Sequence, residues 1–97
     1  MFEVYWSDDA QRSYIKLKSD HSKTAQYNAV KKAILFLASN PTHPGLHTHE
    51  YSSLTGASGE KVFEAYAQQH TPGAYRIFWY YGPSKGIITI LAITPHP

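Results

Sequence analysis

A chain of 97 residues, 42% hydrophobic and 16% charged, has the size and balance of one compact domain spanning residues 1–97. Cysteine is absent, which excludes disulfides, thiolate metal sites and thiol nucleophiles and leaves His, Asp and Glu as the only candidate metal ligands. Nine Lys and Arg against seven Asp and Glu give a formal charge of +2, too small a surplus to mark a nucleic-acid binder by itself.

Phe2 to Trp6 alternate aromatic and β-branched residues with polar ones, which predicts a first strand. The run lacks the basic start of a signal peptide, so the cytoplasm is the expected location. Ser7-Asp8-Asp9 follows as an N-cap with acidic residues in the first helical turn, and Ala10, Tyr14 and Leu17 recur at helical spacing up to Ser19-Asp20. A second helix is expected from about Ser22. Its stripe of Tyr27, Val30, Ala33, Ile34, Phe36 and Leu37 runs to Asn40-Pro41 and reads as the packed face of a helical hairpin. Asn40 to Glu60 is rich in turn formers and reads as a loop, with a short strand around His47 to Leu54. Three strands follow at Val62 to Gln69, Ala74 to Tyr81 and Ile87 to Thr94, joined by connections short enough for antiparallel hairpins. The expected architecture is α+β: an N-terminal strand, a helical hairpin, then an antiparallel meander of three or four strands with the helices on one face.

Alternation puts Tyr75, Ile77, Trp79 and Tyr81 on one face of the central strand and Arg76, Phe78 and Tyr80 on the other. Arg76, one of two arginines, thus stands in mid-sheet among aromatic residues on the face that the helices leave open. A guanidinium there can clamp a phosphate with paired hydrogen bonds. An ion pair with Glu64 or Glu60 across the hairpin is the competing reading, and the residues alone favour it. His96 lies just beyond the last strand between Pro95 and Pro97, where an imidazole can exchange a proton near neutral pH. His47 and His49 share a face if that stretch is extended, and with His96 they are candidate metal ligands. No carboxylate stands at a familiar motif spacing around them.

Taken together, the leading strand, the helical hairpin ending Leu37-Ala-Ser-Asn-Pro41, the Pro44-Gly45-Leu46 loop, the Tyr75-Arg-Ile-Phe-Trp79 strand and the terminal Ile93-Thr-Pro-His96 resemble the RelE/ParE superfamily of bacterial type II toxins. The resemblance implies a cognate antitoxin as partner and one of two targets. RelE-like toxins cut messenger RNA on the ribosome, whereas ParE-like toxins act on DNA gyrase. In the RNA-cutting branch, Arg76 matches the strand arginine at the scissile phosphate and His96 matches the C-terminal catalytic histidine of YoeB-like members. That implies an endoribonuclease needing no cofactor, with Glu64 or Glu50 as general base and with Tyr66, Phe78 and Tyr80 as the RNA-facing aromatic residues. The lysine pair that RelE carries before the arginine is missing from Val62 to Gln69. Its absence keeps open a gyrase-binding toxin, or a domain that has kept the fold and lost toxicity. No membrane role is implied.

Overall fold

The computed structural model describes residues 1–96. Strand β1 (Glu3–Trp6) leads into helix α1 (Asp8–Ser19), a short 3-10 turn (His21–Lys23) and helix α2 (Thr24–Ser39). A second 3-10 turn (Pro44–Leu46) precedes strands β2 (His49–Thr55), β3 (Lys61–Tyr66), β4 (Tyr75–Tyr81) and β5 (Ile87–Pro95). The meander therefore has four strands. The leading strand joins it by pairing parallel with β5, giving one mixed sheet in the order β1-β5-β4-β3-β2.

Local chemistry sets the helix ends. The Ser7 hydroxyl oxygen accepts from the Ala10 N–H at 3.0 Å, Asp8 and Asp9 sit at the positive end of the helix dipole, and Lys16 and Lys18 sit at the negative end. The second helix opens later than the periodicity predicts. The Asp20 carboxylate accepts from the Ser22 N–H at 3.0 Å and so caps the 3-10 turn first, and regular α-helix starts only at Thr24. Both helices pack on one face of the sheet, α1 against β5 and α2 against β4. There Ala10, Leu17, Val30, Ile34 and Leu37 meet Ile77, Trp79, Ile88 and Ile90 in the main core.

The other face has a small core of its own. Val62, Phe78 and Tyr80 are buried there against Tyr51, Leu91 and Ala92, and Tyr51 meets the Phe78 ring edge-on at 4.7 Å. Phe78 and Tyr80, expected to face RNA, are 5% and 6% accessible. The reason is mutual cover: large rings on neighbouring strands shield one another even where no helix lies over them. β3 also stops at Tyr66, short of the expected Gln69. The Ala67 and Gln68 N–H groups both turn onto the Tyr75 carbonyl, at 3.1 and 3.3 Å, and close the hairpin early. Pro97, the second proline flanking His96, lies outside the described residues. Among those residues no helix is long and apolar enough to cross a membrane.

Candidate functional site

At the end of the sheet where β3 turns into β4 and β5 terminates, a cleft of about 730 Å3 opens. The turn from Gln68 to Ala74 forms one side, and His47, His49, Tyr66, Arg76 and His96 line the rest. His70, in the turn, holds a left-handed backbone conformation with φ of +59°. The turn is tied across the cleft by the Gln69 side-chain amide, which donates to the Gly45 carbonyl at 3.1 Å.

Beneath the cleft, two of its lining residues, Arg76 and His49, converge on one carboxylate. Glu64, 3% exposed at its side chain, accepts from the Arg76 guanidinium at 2.5 Å through one oxygen and lies 2.7 Å from His49 Nε2 through the other. Strand pairing explains the convergence: β2 and β3 are in register at His49 and Glu64, while β3 and β4 place Glu64 opposite Phe78, beside Arg76 on the same face. Each buried charge thus has a partner, as burial demands. Arg76 is 16% exposed and lies over the Phe78 ring at 5.3 Å from its centroid. Its Nε is buried with no hydrogen-bond partner among the described residues. With one of five N–H donors engaged by Glu64, the fork retains donors for an anionic ligand.

His49 connects this carboxylate to solvent. Its side chain is half exposed, its Nδ1 lies 3.2 Å from the His47 carbonyl oxygen, and the Tyr66 ring meets it edge-on at 5.8 Å. Two acceptors, a carboxylate and a carbonyl, face the two ring nitrogens. His96 stands at the rim, its backbone N–H donating to the Ala74 carbonyl at 2.8 Å.

The structure brings Arg76, Glu64, Tyr66 and His96 to one place. The competing expectation for Arg76, an ion pair with Glu64, is also met: the guanidinium lines the cleft while it pairs with the carboxylate beneath. Glu60 takes no part: its carboxylate accepts from the Ser58 N–H at 2.8 Å in the β2 to β3 turn. Glu50 is on the opposite face, in register with Phe63 and 3.8 Å from Lys61, so it is not brought to Arg76. Phe78 lies beneath the guanidinium rather than on the cleft wall, and Tyr80 lies farther along the strand in the small core. His47, His49 and His96, weighed in the sequence as metal ligands, are not grouped as such among the described residues. The His49 ring is turned onto Glu64, and no set of three His, Cys, Asp or Glu is placed to hold a metal among the described residues. What the sequence reading missed is the pairing of His49 with Glu64. The only sequence signal was the His47-Thr-His49 alternation, which does not reveal the opposite strand's register.

No family model matches the chain, and no curated protein matches it. Solved structures do. A YoeB/ParE toxin from Agrobacterium tumefaciens superposes with a TM-score of 0.70 at 9% identity, over 98% of this chain and 99% of that one. The archaeal RelE-RelB complex from Pyrococcus horikoshii gives 0.65 at 17% identity, over 97% of this chain and 93% of its match. YafQ from E. coli gives 0.64 at 12% identity, over 99% and 94%. With TM-scores of 0.64–0.70 and near-complete coverage of both chains, this chain has the fold of the RelE/ParE toxins.

Proposed function

We propose that this protein is the toxin of a toxin-antitoxin pair and that it cleaves messenger RNA on the ribosome by acid-base catalysis needing no cofactor. The observation that carries this reading is the buried Glu64 carboxylate shared by Arg76 and His49, which line a cleft rimmed by His96. A ribose supplies its own nucleophile, so the site has three tasks: take the 2′-hydroxyl proton, balance charge on the phosphoryl oxygens, and return a proton to the departing 5′-oxygen. Arg76 serves the phosphate. Glu64 is too buried to reach a substrate directly; it orients the His49 ring through Nε2, and His49 takes the 2′-hydroxyl proton on Nδ1 when that exposed atom exchanges the His47 carbonyl for the substrate. His96 protonates the leaving group, and Tyr66 offers a ring beside the reacting groups. The O2′–P bond forms as the P–O5′ bond breaks, giving a cyclic phosphate and a 5′-hydroxyl.

The cognate antitoxin is the expected partner, in keeping with a neighbour solved as a RelE-RelB complex. The test is controlled expression in bacteria with mapping of new 5′ ends on translated messages. Arg76→Ala and His96→Ala are each expected to lower cutting by about two to four orders of magnitude. Growth arrest with intact messages would instead favour a gyrase-binding toxin, a reading supported by the lack of lysine from Val62 to Gln69. No arrest would favour a fold without toxicity.

A further inference from the structure

A second cleft, of about 590 Å3, lies across strand β2 from the Glu64 cluster. That is within the range of roughly 300–1,000 Å3 in which small-molecule sites fall. One wall is the loop that follows α2, from Pro41 to Thr48, and the other is aromatic. Phe63 stacks on Trp79 at 5.1 Å and 28°, and Tyr81 meets both edge-on. Trp79 is 1% exposed and forms the base of this group, whereas Tyr81 is 42% exposed. The Trp79 indole N–H is buried without a partner among the described residues.

Glu50 stands in this cleft, in register with Phe63 and half exposed. Its cation is Lys61 at 3.8 Å, itself 75% exposed, and so loose a surface pair leaves the carboxylate available to another donor. His47 and His49 line both clefts, which therefore meet at a common rim.

We infer that the second cleft is a base subsite, selective for guanine, for the RNA whose phosphate lies in the first. This rests on the ribonuclease reading above. Flat apolar rings receive the face of a base whatever its identity. The edge is read by Glu50. An ionised carboxylate only accepts, so it matches an edge with two adjacent donors, which guanine presents as N1–H and the N2 amino group. Adenine and cytosine set an amino group beside an acceptor nitrogen, and uracil sets one N–H between two carbonyls. Each of those opposes an acceptor to the carboxylate. His47 and His49, shared by the two clefts, let an RNA strand that crosses the β2 edge reach Arg76 on one face and Glu50 on the other.

The test needs no turnover. The chain has two tryptophans, so the Trp79 indole signal is identified in a 1H–15N spectrum by comparison with Trp6→Phe. Titration with GMP, AMP, CMP and UMP should shift that signal saturably, with GMP binding about tenfold tighter than the other three. Glu50→Gln, an exposed substitution, should remove that preference while the stacking response remains. In the cut-site map, a guanine next to the cut should be common for the wild type and lose its excess in Glu50→Gln. Equal response to all four nucleotides, no response, or an unchanged preference in Glu50→Gln would overturn the base site. Guanine-selective binding with uncut RNA would overturn the ribonuclease reading instead, and cleavage without a guanine response would overturn the base site alone.

Discussion

Glu64 is where stability and proposed function meet. Its carboxylate is almost fully buried and neutralised by Arg76, so Arg76→Ala leaves a buried charge with only the half-exposed His49 beside it. Breaking such a pair costs about 3–5 kcal/mol. The expected outcome is a large fall in urea stability for Arg76→Ala that is partly restored by adding Glu64→Gln, measured as a double-mutant cycle. Cleavage should stay lost in the double variant, since the phosphate contact is still gone. Tyr14 gives a second prediction. Burial pushes its hydroxyl well above the usual tyrosine range, helped by the hydrogen bond to Tyr27 at 3.4 Å and by that neighbour's charge when ionised. The folded state therefore holds this proton more tightly than the unfolded chain. The stability it contributes is complete below about pH 10 and is lost as pH rises above that value. Unfolding measured at about pH 8 and about pH 11 should show a smaller alkaline loss for Tyr14→Phe than for the wild type.

Among the elements, α1 and β2 show how single residues fix larger parts. Ser7 caps α1 with its oxygen and donates its hydroxyl to the Leu91 carbonyl at 2.7 Å, so one side chain ties the helix start to β5. Ser7→Ala loses both bonds and should cost about 1–2 kcal/mol. In a domain of this size each kcal/mol lowers the melting temperature by about 4–8 °C, which thermal unfolding reads directly. Strand β2 is the exposed edge beside β3, and its register slips between Glu50 and Thr55. Such irregularity discourages pairing with other chains. At its regular end, alternation sends His49 to the Glu64 cleft and Glu50 to the aromatic one, so two adjacent residues serve two sites.

For the whole molecule, charge sets the strength and salt dependence of any contact with RNA. A formal charge of +2 and a β3 strand with Lys61 as its one basic residue leave few cations to neutralise phosphates. Single-strand affinity falls with salt at a slope of about 0.7 per phosphate contacted, so a slope of roughly 1–2 is expected here. A filter-binding series over salt concentration checks it. A much steeper slope would mean a basic surface far from the cleft contributes to binding.

The sequence by itself determined the element order, the cap at Ser7, the stripe on α2, the open-face position of Arg76 and the resemblance to RelE/ParE toxins. Each rests on interactions within a few residues, or on an alternation that backbone geometry imposes. Only the tertiary structure decided that β1 runs parallel to β5, that Phe78 and Tyr80 are covered, that Glu50 faces away from Arg76 and that His49 shares Glu64 with it. Those outcomes depend on which residue of one strand lies opposite which residue of the next. Register is fixed by the summed packing of both faces of the sheet, and no local stretch of the chain contains that sum.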